Sequence, residues 1–446
     1  MENALIPVTS QLEASPSNPN VEKNEPIKSV RRYDIDWLRV ILFGLLIWFH
    51  YAVFSLGILF RDGAYGGDDS LQNIILFFTI DVMHQWRLAA LFVISGMGTA
   101  FAFKRRTWQI YLKERGTRLL IPLLFTTYII QVGIFDIVGT TKRFFTIFPG
   151  MDGMPYAHLW FVFNLLIYSV ILTPLFAHVR SNPDGLIVKN VQKILNMPYG
   201  VGILILPPLV LAANGILFKP WHFGEVGMWW EFPRYLIYFA FGYLLIQAKD
   251  QYFSVLDRVR IPVSIITPIL ALVYFFGKES FGIPGIMVGG WYDEGYSAFS
   301  VAATIATLLQ AFHAWFWCIL IFSWASKLLN RSSPVLGYLN DAVYPTYIVH
   351  MHITTFVIVF FSILGVNYFF SLIAGTILVT VGVLVMFELV RRASFARMLF
   401  GIKQEPKEMK LIKTKKMRIV TGIVSHAVAI FSVLVMIVLW LIIISS

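Results

Sequence analysis

The sequence predicts an all-α protein, a polytopic transmembrane bundle of about eleven helices, and three observations predict it. Hydrophobic residues make up 57% of the chain and charged residues 14%, against about 25% charged in an ordinary soluble domain. Apolar runs of about 20 residues, long enough to cross the hydrocarbon core as helices, recur between short polar links. Lys and Arg also concentrate in alternate links. With the N-terminus placed inside, 28 fall on the inner side and 5 on the outer, while Arg39, Arg87 and Arg234 lie within spans. A missed or invented span would swap every later link and cancel that asymmetry, so the charge pattern also tests the helix list.

The elements follow in order. Residues 1–33 are polar and rich in Pro, Ser and Asn, and lack the basic start, apolar stretch and small-residue cleavage site of a signal peptide. They read as a disordered cytoplasmic tail. Residues 34–392 form the membrane core, 393–418 a basic cytoplasmic linker and 419–446 an additional C-terminal span. The expected spans are 37–60, 85–103, 119–139, 158–178, 199–217, 231–248, 261–277, 298–324, 339–362, 367–390 and 419–444. The segment LQNIILFFTIDVMH (71–84) is too short to span alone, so it either lies in the interface or extends the second helix inward. Outer links such as RDGAYGGDDS (61–70) and GIPGIMVGGWYDEG (282–295) carry turn glycines and aromatic interface anchors, or line an acceptor pocket.

Composition also excludes functions. The net charge of +11 is a topology signal and not a nucleic-acid footprint, because its basic residues sit in the links between apolar runs. Cys318 is the only cysteine, which rules out zinc-type cysteine spacing and an internal disulfide framework.

An ionisable side chain at mid-bilayer costs about 3 kcal/mol or more, so each one is a functional candidate. His50 is the sharpest. Eleven positions separate it from Arg39, roughly three full turns at about 100° per residue, so both side chains leave one helix face about 16 Å apart along the axis. An elongated anionic donor fits that spacing, with a phosphate near Arg39 and a reactive end near His50, where an imidazole suits general-base work. A buried histidine simply bonded to a neighbouring helix is the alternative. Arg115 and Arg118 share a face at the inner surface beside Lys104, Arg105 and Arg106, and form either an anionic-lipid site or a phosphate clamp. Ser95 and Gly96 permit close helix approach or leave room for substrate. Asp341 and Pro345 resemble a helix start, with Asp341 as its cap. His350 and His352 differ by about 200° of rotation, so they do not face one cavity and no metal pair is expected. His84, Arg87, Asn164, Glu231, His313 and Glu388 read as interhelical hydrogen-bond partners.

Taken in order, YDIDWLRVILFGLLIWFH (33–50), LFVISGMGTAF (91–101) and YLKERGTRLLIPLLF (111–125) resemble the integral membrane acyltransferases of family three. WRLAALFVISG, HLWFVFNLLIYSVILTPLF, YLIYFAFGYLL and DAVYPTYIVHMH are similar to the branch that includes glucan biosynthesis protein C, associated with succinylation of periplasmic glucans. The resemblance implies a ten-helix core, a cytosolic acyl-CoA donor, a hydroxyl on a carbohydrate or glycan acceptor, and no tightly bound cofactor. It implies His50 as the catalytic residue, acting as general base or carrying the acyl group itself, Arg39, Arg115 and Arg118 as donor contacts, and Ser95 on a site-lining helix. Asp36, Arg87, Asp341 and His350 are expected to line the site with Ser95. The expected setting is a plasma or inner membrane with the C-terminus outside. The rival class is a transporter or lipid flippase, since intramembrane His and Arg also mark transport pathways.

Overall fold

The computed structural model describes residues 31–59, 74–75, 77–131, 157–218, 231–281 and 300–402, and among them are helices and turns but no strand. The chain divides between Arg32 and Tyr33, and the helices among the described residues lie on the C-terminal side of that boundary. The 393–418 linker beyond Ile402 and the 419–444 span lie outside the described residues.

Helix α1 (Tyr33–Leu59) begins with Asp34 and Asp36 in its first turn, where carboxylates meet the positive end of the helix dipole. Helix α2 (Met83–Phe103) continues directly from a π-helical turn at Phe77–Val82, so together they form one apolar stretch of 27 residues. Phe77–Val82, the described part of the segment running up to this helix, therefore extends the second span. Helix α3 (Trp108–Arg115) starts at Thr107, whose hydroxyl accepts from the Ile110 amide. It runs through a π-turn into the short α4 (Ile121–Phe125).

Helices α5 (Trp160–Ile171) and α6 (Thr173–Ser181) meet at a 48° bend. Pro174, in the first turn of α6, lacks the amide that a continuous helix would use there. After α7 (Leu186–Leu195) come α8 (Val201–Phe218), α9 (Glu231–Gln247), α10 (Lys249–Phe281) and α11 (Val301–Leu328). The last described helices are α12 (Pro334–Ile363), α13 (Tyr368–Arg392) and α14 (Ser394–Leu399). Among the described residues seven helices are long and apolar enough to cross a membrane, and eight if the bent α5–α6 pair is one span. At 17 residues, α9 sits at the lower limit of spanning length. The expected 119–139 span is a broken helix up to Gln131, where the described segment ends.

Two helix seams position the site. Along the first, α1 and α12 run parallel and climb in register. The Tyr33 amide donates to the Asn330 side chain at 3.1 Å, Arg39 donates to Asn340 at 2.9 Å, and His50 meets His350 at 2.8 Å. Parallel spanning helices need an odd number of crossings between them, and the seven spans expected between 60 and 339 satisfy that. Helix α13 returns antiparallel, with Tyr338 packed on Phe387 at 5.3 Å and Phe361 on Phe370 at 6.3 Å.

Along the second seam, α2 and α9 touch through bare backbone. A Cβ at Gly96 would collide with the Phe239 carbonyl, and one at Gly242 with the Val93 carbonyl. Small residues at such positions let two backbones approach, which is how helices gain packing energy where lipid offers no hydrophobic drive. Phe92 stacks on Tyr235 at 4.6 Å and fills the space beside that contact.

Candidate active site

Helix α12 brings the second half of the site to α1. Ser333 caps it by accepting from the Val335 amide, and Pro334 occupies its first turn, where a missing N–H costs nothing. More than four turns further in, at about 3.6 residues per turn, the His350 ring is wholly buried. His50 Nδ1 lies 2.8 Å from His350 Nε2, with the rings stacked 4.9 Å apart at 26°. His350 Nδ1 lies 2.6 Å from the Tyr347 carbonyl, which can only accept.

His158, just ahead of α5, packs its ring 5.4 Å from His350 and 5.7 Å from His352. Its Nε2 donates to the Ile348 carbonyl at 3.3 Å, and the Tyr347 hydroxyl donates to the His158 carbonyl. His350 and His352, which were not expected to face one cavity, both pack against the His158 ring. Their Cα directions diverge, but a ring inserted beside α12 reaches both. Of the two, His350 is the one whose ring nitrogen lies 2.8 Å from His50. Among the described residues no group of three His, Cys, Asp or Glu side chains is arranged to hold a metal ion.

A buried cation accompanies the histidines. Arg87 is 1% exposed, its guanidinium lies 4.2 Å above the Phe49 ring, and its Nη1 is 3.4 Å from the Leu45 carbonyl. His84 stacks on Phe49 at 5.0 Å, and the Phe49 ring lies 5.5 Å from that of His50. An arginine held on an aromatic face at this depth keeps positive charge beside the His50 pair.

At the other end of the α1 face, Arg39 donates to Asn340 at 2.9 Å and lies 3.4 Å from the Asp36 carboxylate, while Asn340 donates to Asp36 at 3.0 Å. Arg39 and His50 thus share one face of α1, as their spacing requires, and both meet α12. Arg115 donates to Thr99 at 2.9 Å and packs over Tyr111. Arg118 is exposed, with its Nε 3.4 Å from the Gly401 carbonyl. Ser95 is half-buried and donates to Leu91 of its own helix at 2.8 Å, while Gly96 makes the close approach to α9.

Asp341 departs from its expected place. It does not cap a helix, because α12 starts seven residues earlier, and its side chain is exposed. Nine residues separate it from His350, about two and a half turns, so the two leave opposite sides of α12. Its neighbour Asn340 faces Arg39 instead. Pro345 lies inside the helix and is buried. Glu388 pairs within its own helix, with Arg391 at 3.2 Å and Arg392 at 3.0 Å, and also bonds across to Tyr338 of α12, as expected of an interhelical partner. His313 accepts from Trp317 one turn along α11, at 2.9 Å.

Asn340 and His158 were not among the residues singled out from sequence. Asn340 adjoins Asp341, whose charge made it the more conspicuous candidate. His158 opens an apolar run, and a polar residue at that edge was the one available signal.

The sequence pattern of a family described as an acyltransferase domain matches residues 32–388, which contains every residue of the His50 and Arg39 constellations. The chain belongs to acyltransferase family three. The glucans biosynthesis protein C of Escherichia coli K12 and that of strain O81 ED1a are each 21% identical to it over 396 residues, covering 85% of this chain and 96% of the relative. The family and the branch resembled by the sequence are therefore both borne out. No solved structure matches the chain. As a family-three member with several spanning helices, it is an integral membrane acyltransferase, which favours acyl transfer over transport as the use of its intramembrane cations.

Proposed function

We propose that this acyltransferase moves an acyl group from cytosolic acyl-CoA to a hydroxyl of a carbohydrate or glycan acceptor, with His50 as the catalytic base. The observation that carries the proposal is the shared wall of α1 and α12, which sets Arg39 at one end and the His50–His350 pair at the other. Their separation along α1 is about 16 Å. A coenzyme A donor is itself elongated, with phosphates at one end and a thioester at the other. Its phosphates lie toward Arg39, Arg115 and Arg118, and its thin arm follows the α1 face inward. Arg87 adds positive charge near the carbonyl, where negative charge develops during attack.

The acceptor class follows from the relatives, which are named for glucan biosynthesis. In this reading the N-terminus is cytoplasmic, the ten-helix core is followed by an eleventh span, and the acceptor reaches His50 from the far side of a plasma or inner membrane. Depth favours this arrangement, since a base well inside the bilayer is reachable from both faces.

The test uses the full-length protein in vesicles with radiolabelled acyl-CoA and a glucan acceptor. His50→Ala, shown to be folded by its size-exclusion profile, is expected to lose transfer by at least 100-fold, within the usual range for a general base. Unchanged transfer would remove His50 from the role.

A further inference from the structure

The hydrogen bonds around His350 determine which atom of His50 is available for chemistry. The Tyr347 carbonyl has no proton to give, so His350 Nδ1 carries one and donates across the 2.6 Å contact. With His350 neutral, its Nε2 holds a lone pair. The 2.8 Å contact then requires His50 Nδ1 to be the donor. A neutral His50 that holds its proton on Nδ1 presents Nε2 as its basic atom. Isolated imidazoles place no such restriction on themselves, and the paired ring is assigned by what its other nitrogen contacts.

We infer that His350 is a positioning residue: anchored by the Tyr347 carbonyl, it holds His50 in the tautomer whose Nε2 accepts the acceptor hydroxyl's proton. This inference rests on the reading of His50 as base. In the step it serves, the hydroxyl oxygen bonds to the thioester carbonyl carbon as its proton passes to His50 Nε2. Collapse of the tetrahedral intermediate then breaks the carbon–sulfur bond, and the departing thiolate recovers that proton from Nε2. The proton on Nδ1 stays in place throughout, and its bond to His350 strengthens while His50 is cationic. The arrangement follows the general logic of a base oriented by a third group, here a neutral imidazole tied to backbone instead of a carboxylate.

The geometry around the pair supports a built device. His350 is wholly buried, so water does not compete for its Nε2. The charged and titratable groups facing the pair include Arg87 from α2, His84 through Phe49, His158 ahead of α5, and Tyr347 and His352 of α12 itself. Tyr347, which supplies the anchoring carbonyl, is itself fixed by its hydroxyl bond to the His158 backbone.

The test compares His350→Leu, which removes the acceptor, with His350→Gln, whose amide oxygen can accept from His50 and whose amide nitrogen can donate to a carbonyl. Full-length protein labelled with nitrogen-15 histidine in bilayers reports the tautomer directly, with His50→Ala identifying the His50 signal. The expected result is a proton on His50 Nδ1 in the parent protein, retained in His350→Gln and moved toward Nε2 in His350→Leu. Transfer should fall at least 100-fold in kcat for His350→Leu with donor KM little changed, and return to within about 10-fold of the parent in His350→Gln. A parent signal showing the proton on Nε2, or equal kcat in His350→Leu and the parent, overturns the inference. These results are separable from failure of the His50 assignment, because that failure appears as unchanged transfer in His50→Ala whatever the tautomer.

Discussion

The α1–α12 seam and the α2–α9 seam lie in the same bundle and solve opposite problems. Where α2 meets α9, glycines bring bare backbones together and aromatic rings fill what remains. Where α1 meets α12, side chains of Arg, Asp, Asn and His pair at successive depths. The first seam contributes packing, which in lipid must replace hydrophobic drive between helices. The second keeps polar groups at a depth where each is expensive unless paired. Under the proposed function, the contrast separates the contact that holds the protein together from the contact that does chemistry, so the two should respond differently to substitution.

The sharpest way to break that division is His50→Ala, expected to abolish transfer at normal protein yield. Next in size is Gly242→Val on the dry seam. The added side chain meets the Val93 backbone, which cannot move aside as a flexible side chain would. Overpacking of this kind costs about 1–3 kcal/mol or more, so purified protein should show a lowered Tm and reduced yield. If Gly242→Val instead left Tm intact and cut transfer alone, the seams would not be separate in role.

A smaller effect is expected at the outer reach of the polar seam. Arg39→Ala should raise the apparent KM for acyl-CoA about tenfold, the scale of one hydrogen bond to a charged group, with kcat much less affected. Asn340→Ala, which removes a bond to both Arg39 and Asp36, should move KM in the same direction by less. An unchanged donor KM in both would sever the Arg39 end from the site.

The smallest effect separates support from chemistry near His50 itself. Tyr51 bonds Ser371 at 2.7 Å on the α13 side of α1, so Tyr51→Phe should cost about 1 kcal/mol of stability with transfer per folded molecule unchanged. A selective loss of kcat would draw α13 into the site.

What was legible in the sequence depended on whether it lay within one helix. Arg39 and His50 could be placed on one face because the helical period alone fixes their relation. The bundle was legible because hydrocarbon imposes long apolar helices. His350 could be named but not paired, since its partner is 300 positions away and no local rule specifies which helices become neighbours. Asp341 was misplaced for a related reason. Charge drew notice to it, whereas half a turn of rotation from His350 decided that Asn340, not Asp341, meets Arg39. Gly242 carried no visible signal, because a lone glycine in an apolar run reads the same whether it faces lipid or a neighbouring backbone.

The parallel register of α1 and α12 carries a consequence for biosynthesis. His50 emerges from the ribosome long before its partner, and among the described residues four spanning helices, five with the bent α5–α6 pair, must be inserted before His350 arrives. Until then a polar half-site on α1 stands inside the bilayer without its complement, a state that favours shielding by the insertion machinery. Chains truncated before residue 334 are therefore expected to be recognised as unfinished and degraded, which makes late completion of this wall a quality-control checkpoint for the whole enzyme.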